Sequence, residues 1–251
     1  MKDRNFDGLA GRFKQQIYET PKGQLRLAML QQDFAQHAGP WLNSPCDILD
    51  AGGGQGQFAA LLAEKGHHIT LCDISADMLA YAALHLPGEG HHFVHSAIQD
   101  LPTKLPRTFP VVLNHAVLEW VEDGAGLINN LHSMLAQGGL LSLMFYNFHA
   151  ITWRNLMNGT FSRALEGEYR NENNALMPNH PRKPEEVKAW LEDAGFELIS
   201  WRGIRSVYDH MPKEMRKLKT LEQLIEVENR FGTEPPYRDL GRYVHMLAVK
   251  R

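Results

Sequence analysis

Glycines at positions 52, 53, 54 and 56 follow directly on the apolar run Cys46-Asp-Ile-Leu-Asp50. A second apolar segment, Phe58-Ala-Ala-Leu-Leu-Ala-Glu-Lys65, leaves the cluster and stops at Gly66. That succession reads as a strand, a glycine-rich turn and a helix with a glycine C-cap. Residues without a Cβ let the backbone approach a ligand closely at the carboxyl end of a strand, where open α/β sheets bind their ligands. The turn is thus both a fold marker and a candidate ligand cradle.

The same rhythm continues along the chain. His68–Cys72 predicts a second strand ending at Asp73, and Ser75 caps a helix over Asp77–Leu86 that Pro87 and Gly88 stop. His92–His95 and Pro110–Asn114 predict strands three and four. Leu127–Leu135 predicts a helix ended by Gly138-Gly139, and Leu140–Phe145 a fifth strand. Beyond them lie a helix over Pro184–Ala194 closed by Gly195, a strand over Phe196–Trp201, one helix over Lys213–Phe231 and a last strand over Arg242–Val249. Strands alternating with helices at this spacing imply parallel βαβ units in a doubly wound α/β sheet. Residues 1–40 carry a helical pattern ahead of the sheet, and 147–183 are polar and irregular. The chain reads as one domain over 1–251: a helical cap (1–40), a ligand-binding core (45–145), an insert (147–183) and a C-terminal part (184–251). A long insert between sheet elements is more often functional cover than idle loop.

Composition removes several classes. Hydrophobic residues at 43% and charged residues at 22% argue against a disordered chain. The start, MKDRNFDGLAGRFKQ, has no apolar h-region, and Leu140–Tyr146 is far too short to span a bilayer, so no membrane span and a cytoplasmic location are expected. Cys46 and Cys72 are isolated, so neither a disulfide framework nor a metal site is expected. The net charge of −3 divides unevenly: +3 over residues 1–26, −8 over 27–150 and +2 over 151–251. A nucleic-acid partner could use such an asymmetry, although a sheet core in the middle would also produce it.

Asp50 to Gly56 fits D-x-G-x-G-x-G. The dinucleotide fingerprint would need Gly or Ala where Gln57 stands, and no Lys-Ser/Thr pair follows to make a P-loop. An acid at the end of the second strand, Asp73, can accept hydrogen bonds from both hydroxyls of a ribose. With these acids in place, residues 45–145 resemble the core of a class I S-adenosylmethionine (SAM)-dependent methyltransferase. The resemblance implies a Rossmann-like sheet of seven strands with an antiparallel last strand. It assigns Asp50, Gly52, Gly53 and Asp73 to the cofactor. Ala97-Ile98-Gln99-Asp100-Leu101-Pro102 matches the third motif, with Ala97 in place of the usual acid, so the Ile98 backbone and the Gln99 side chain are left to reach the adenine. His115 falls beside the methionine part, while Glu119 and Trp120 begin a turn that packs on its flank.

Four further segments narrow the resemblance. They are Asn5 to Arg26, His115 to Trp120, Ser142 to Asn147 and Leu240 to His245. Together they resemble the bacterial tRNA 5-carboxymethoxyuridine methyltransferases, which methylate the carboxylate of a wobble uridine to its ester. The resemblance implies a tRNA anticodon arm as partner and leaves monomer or homodimer open. Arg26 would close a helix over the cofactor and pair with its carboxylate. A carboxylate acceptor is already an anion at neutral pH, so no general base is needed and a guanidinium fork orients it best. Arg202, Arg205 and Arg242 are the candidates, with Tyr146, Tyr208 and Tyr243 as donors. Lys2, Arg4, Lys14, Lys22, Lys213, Arg216, Lys217 and Lys219 are candidate phosphate contacts, and Tyr18, Tyr146 and Phe148 candidate stacking partners for the base. One departure stands out: the insert reads Glu168-Tyr-Arg-Asn-Glu-Asn-Asn-Ala-Leu where a strongly basic stretch is expected. The rival readings are a small-molecule methyltransferase of quinone-precursor type, an enzyme that uses carboxylated SAM, and a SAM-binding module without catalysis.

Overall fold

The computed structural model describes residues 20–167 and 178–251. Its centre is a seven-stranded sheet of order β3-β2-β1-β4-β5-β7-β6, built from Asp47–Ala51 (β1), His68–Asp73 (β2), His92–His95 (β3), Phe109–His115 (β4), Leu135–Tyr146 (β5), Phe196–Ile204 (β6) and Tyr243–Lys250 (β7). β1 pairs in parallel with β2 on one side and β4 on the other, so the strand order reverses direction at β1. A crevice opens at such a switch point, outside the carboxyl ends of the strands. β7 lies antiparallel between β5 and β6, as expected of a sheet with an inverted last strand.

Helices cover both faces: Pro21–His37 (α1), Gln57–Ala63 (α2), Ala76–His85 (α3), Gly124–Met134 (α4), Phe148–Met157 (α5), Phe161–Glu166 (α6), Pro184–Asp193 (α7), Lys213–Lys217 (α8) and Leu221–Phe231 (α9), the one-turn pieces at Gly39–Leu42 and Leu101–Lys104 being left unnumbered. Successive strand residues point to opposite faces, which sorts the core into two layers. Leu49, Val112, Leu141 and Val244 pack with α4 and α7 on one face. Ile48, Val111, Leu140 and Leu247 pack with α1, α2 and α3 on the other.

Four sequence expectations need correction. The helix expected over 127–135 begins instead at Gly124, where the Asp123 carboxylate accepts from the Gly126 amide, and it stops at Met134. Gly138 and Gly139 therefore lie inside β5 and do not end a helix: the β4 partner shifts from Leu135 to Leu140 there, and left-handed Gly138 (φ 71°) takes up the extra chain. The polar insert is not irregular at its start, because Asn147 accepts from the His149 amide and opens α5, with α6 behind it. The departing stretch 168–176 lies outside the described residues, as do Lys2, Arg4, Lys14 and Tyr18.

The single helix expected over Lys213–Phe231 is two, α8 and α9. Thr220 breaks it by forming a capping box, its hydroxyl accepting from the Gln223 amide while the Gln223 side chain accepts from the Thr220 amide. Thr220→Ala is expected to lower the free energy of unfolding by about 1 kcal/mol in urea titrations, with an unchanged m-value.

Candidate active site

The glycine turn leaves β1 at the switch point. Gly54 (φ 55°) and Gly56 (φ 71°) take left-handed conformations, and a Cβ on Gly53 would come within 2.5 Å of the Asp50 carboxylate. Asp73, at the end of β2, ties the turn in place: its carboxylate accepts from the Gly54 amide at 2.9 Å and the Ser75 amide at 2.8 Å. Asp73 is half-buried at the carboxyl edge of the sheet. Burial, reinforced by the charge of Asp73, pushes the Asp50 carboxyl up to about 7. Ile98 is buried behind Gly52 and opens a 3-10 turn, Ile98–Asp100, in which Gln99 is exposed.

The end of β4 supplies the second wall. Ala116, directly after His115, holds a left-handed backbone (φ 60°), a strained conformation for a residue with a side chain. His115 is half-buried; its Nε2 lies 2.7 Å from the Ser142 hydroxyl. Burial, helped by the charge of the nearby Arg26, holds its pKa well below the ordinary histidine value, so the ring is neutral at physiological pH. Glu119 is 2% exposed and its carboxyl is pushed up to about 7 by burial, against backbone hydrogen bonds and the charges of Arg182 and Arg26. Two buried oxygens, Asn114 Oδ1 and Glu119 Oε2, have no hydrogen-bond partner among the described residues. Such orphaned acceptors, beside a turn with no room for a Cβ at Gly53, fit a polar small molecule carrying hydrogen-bond donors.

A basic rim flanks this crevice. Arg242 donates from Nε to Asp209 at 2.7 Å and from Nη1 to the Tyr146 hydroxyl at 2.6 Å. Arg205, itself left-handed (φ 60°), donates to the same Asp209 oxygen at 3.1 Å, and its Nε is buried without a partner among the described residues. Arg26 and Arg205 both lie over the Tyr243 ring, at 5.9 and 5.4 Å, and Tyr243 stacks edge-on against Tyr146. Lys22 stands close by: partial desolvation, opposed by Asp209 and aided by Arg205, Arg242 and Arg216, lowers its pKa. Burial would raise the Asp209 carboxyl, yet Arg205 and Arg242 hold it below its usual range. One ionised acid thus faces Lys22, Arg205 and Arg242, with Arg26 over the neighbouring tyrosine. The surplus positive charge suits an anion.

Buried Glu228 of α9 holds the loop that carries this rim. Its carboxylate accepts from the backbone amides of Ser206, Val207 and Tyr208 at 2.7, 3.1 and 2.7 Å. Asn147 anchors the facing loop, donating from Nδ2 to the carbonyls of Asp239 and Gly241.

Not every expected residue joins the rim. Arg202 is fully buried, with Nε donating to Asp33 at 2.6 Å, and so cannot orient a substrate from there. Tyr208 packs in the core with Leu25 and Leu224 instead of presenting its hydroxyl. Arg216 braces its own loop by donating to the carbonyls of Met211 and Asp209, whereas Lys213, Lys217 and Lys219 are exposed. Phe148 is half-buried, with the Lys183 ammonium over its ring. Sequence reasoning gave Asp209 and Glu228 no role. Nothing in their spacing separates them from surface acids, and only the fold buries them.

Residues 23–201 match the family model described as "Methyltransferase domain". The tRNA 5-carboxymethoxyuridine methyltransferase of Escherichia coli (strain K12) is 40% identical over the whole chain and 97% of its own length. The chain belongs to the methyltransferase family. A ubiquinone biosynthesis O-methyltransferase of Xylella fastidiosa (strain 9a5c) is 31% identical over only 63% of either chain. Among solved structures, the magnesium protoporphyrin IX methyltransferase ChlM of Synechocystis PCC 6803, with SAH bound, superposes with a TM-score of 0.66 at 16% identity, covering 98% of this chain and 96% of its own. The plantazolicin methyltransferase BamL, also in complex with SAH, gives 0.63 at 14% identity, covering 96% and 89%. These two likenesses show the class I methyltransferase fold. No described helix is long and apolar enough to cross a membrane, and no group of three or more metal-ligating side chains is present among the described residues.

The placement of Arg202 has a measurable consequence. Arg202→Met leaves Asp33 in the dry core without its guanidinium, and the free energy of unfolding is expected to fall by about 3–5 kcal/mol in chemical denaturation. A substrate-orienting arginine would behave otherwise, losing activity at unchanged stability.

Proposed function

We propose that this methyltransferase uses S-adenosylmethionine to methylate the carboxylate of 5-carboxymethoxyuridine at the wobble position of tRNA, giving the methyl ester. The observation that carries the reading is the basic rim of Arg205, Arg242 and Lys22 beside the donor crevice, an environment made for an anionic acceptor. The name of the relative that matches over the full length supports the same substrate. The ubiquinone-type relative shares only part of the chain, which fits a common core and gives no support for its substrate.

The donor supplies a methyl group on a positively charged sulfonium. Asp73 accepts the ribose hydroxyls, the Gly52–Gly53 backbone lies against the methionine end, and the Ile98 backbone with the Gln99 side chain borders the adenine. Arg26 pairs with the donor's carboxylate, and His115 stands beside its amino-acid part. On the acceptor side, Arg242, fixed between Asp209 and Tyr146, and Arg205, fixed by Asp209, orient the substrate carboxylate for in-line attack. One carboxylate oxygen gains the C–O bond as the S–C bond breaks, and the negative and positive charges cancel. No proton moves, so no base is used. Neutral His115 is consistent with that economy. Exposed Lys213, Lys217 and Lys219 lie on the segment that follows the rim and supply charge for tRNA phosphates.

The direct test is mass spectrometry of tRNA nucleosides from a strain lacking the protein. Free 5-carboxymethoxyuridine should accumulate with no ester, and purified protein with SAM should restore the ester on that tRNA. Absence of any change in these nucleosides would exclude the substrate.

Two kinetic outcomes follow from the site. Arg242→Lys keeps the charge but loses the fork, so kcat/KM for an anticodon stem-loop should fall by about 2–4 kcal/mol of transition-state stabilisation while SAM affinity holds. With saturating SAM, the wild-type single-turnover rate should be flat between about pH 6.5 and 8.5, because the acceptor carboxylate stays ionised. SAM affinity itself should tighten as pH rises through 7. Asp50 and Glu119, each pushed up to about 7, then become anions that favour a cationic ligand, and binding below that range must expel a proton. Calorimetry in buffers of different ionisation enthalpy measures that proton directly.

A further inference from the structure

An unbroken line of polar side chains crosses the sheet beneath the crevice. Arg202 Nε on β6 lies 2.6 Å from Asp33 Oδ1 on α1. Asp33 Oδ2 lies 2.6 Å from His245 Nδ1 on β7, whose Nε2 lies 2.8 Å from Ser142 Oγ on β5. Ser142 Oγ lies 2.7 Å from His115 Nε2 at the end of β4. Arg202, Asp33, His245 and Ser142 are all 0% exposed. Burying four polar groups in a sheet core is costly unless every one is satisfied, and here each finds a partner.

The chemistry of the two ends sets the direction of every hydrogen bond between them. Asp33 and Arg202 neutralise one another, and a proton on both nitrogens of His245 would add an uncompensated charge to this dry set, so the relay takes His245 with a single ring proton. A carboxylate only accepts, so His245 carries its proton on Nδ1 and offers a bare Nε2. The Ser142 hydroxyl must then donate to His245, and its oxygen accepts from His115. His115 is thereby fixed with its proton on Nε2, and its Nδ1 is an acceptor with no hydrogen-bond partner among the described residues.

We propose that Asp33, His245 and Ser142 are positioning residues, a buried relay that sets the tautomer of His115 so that Nδ1 accepts a hydrogen bond from the ammonium group of the methyl donor. The inference rests on the reading above that His115 lies beside the donor. The amino-acid end of that donor is a zwitterion whose ammonium and carboxylate share one carbon. Arg26 takes the carboxylate, and the Arg26 charge reaches His115, so both groups address the same end of the crevice. A His115 with its proton on Nδ1 would offer a donor to a donor. The relay therefore selects which way round the amino-acid end sits.

Asp33→Asn reverses the relay without changing its shape. The carboxamide oxygen keeps Arg202, and its NH2 donates to His245 Nδ1. The His245 proton moves to Nε2, Ser142 turns to donate to His115, and the His115 proton moves to Nδ1. An aspartate-to-asparagine change is known to trap the wrong histidine tautomer in this way in catalytic triads. Ser142→Ala is the second variant. It cuts the relay but leaves the Arg202–Asp33–His245 cluster whole, which keeps the test open should Asp33→Asn fail to fold.

The experiment is 15N NMR of the histidine-labelled full chain, with His115 assigned by its loss in His115→Gln. It is paired with calorimetric affinities for S-adenosylhomocysteine and for methylthioadenosine, which lacks the amino-acid end. The expected result is Nε2–H in the wild type, Nδ1–H in Asp33→Asn and a mixture in Ser142→Ala. S-adenosylhomocysteine affinity should fall about tenfold in Asp33→Asn, the size of one lost charge-assisted hydrogen bond, with methylthioadenosine affinity unchanged. Retention of Nε2–H in both variants would overturn the relay. An equal loss for both ligands would reduce these residues to scaffold and overturn it too. If His115→Gln binds S-adenosylhomocysteine as well as the wild type does, the placement of His115 beside the donor fails, and the proposal falls with it even where the tautomer moves.

Discussion

The carboxylate of Asp33 joins three elements that the chain keeps far apart: helix α1, which it belongs to, and strands β6 and β7, which it reaches through Arg202 and His245. Burial alone would raise its pKa, but the hydrogen bond from His245 and the Arg202 guanidinium hold it below the ordinary carboxylate range. An ionised group in that position is tolerable only because both its oxygens are used. The interaction docks α1 on the edge half of the sheet, and Arg26, about two turns earlier on the same face of α1, arrives over Tyr243 as a result. The anchor fixes the rotation of the cap helix more sharply than its apolar contacts do, because apolar contacts alone do not distinguish small rotations sharply.

The wall opposite is held by a different device. Glu228 gathers three successive backbone amides, and Asn147 gathers two carbonyls from the loop before β7. Each of these side chains does for a loop what a strand neighbour does for a strand: it satisfies backbone groups that would otherwise need water. The loops are consequently rigid enough to hold Arg205 in a left-handed backbone and to bring Arg242 and Arg205 onto one carboxylate oxygen. Positive charges converge because the backbone beneath them has no slack.

Much of this was legible in the sequence, for identifiable reasons. The glycine turn, Asp73 and the alternating elements are local features, written in consecutive residues with a fixed period, and Ser75 caps α3 as its position predicts. The third strand, His92–His95, is found where it was read. Arg202 was misread because an arginine on a strand looks the same whether it faces a crevice or an aspartate on a helix 169 residues away. The glycines at 138 and 139 were misread because a terminator and a bulge have the same composition, and only the shifted register of β4 separates them. Ser142 and His245 did leave a trace, as polar residues inside otherwise apolar strands, yet their meaning depends on a pairing across β5 and β7 that no local pattern carries.

The insertion of β7 between β5 and β6 has a bearing on how this protein comes to exist. β6 is synthesised before β7 but has no place in the sheet until β7 has paired with β5, so the order of synthesis runs against the order of assembly. In the interval β6, a nine-residue strand, presents unpaired amides and carbonyls on both sides. Such non-local pairing slows folding and lengthens the exposure of a sticky edge. Arg242, Tyr243 and His245 all ride on or beside β7. The step that closes the sheet is therefore also the one that creates the rim, and a chain stalled short of it carries a glycine turn with no basic rim beside it.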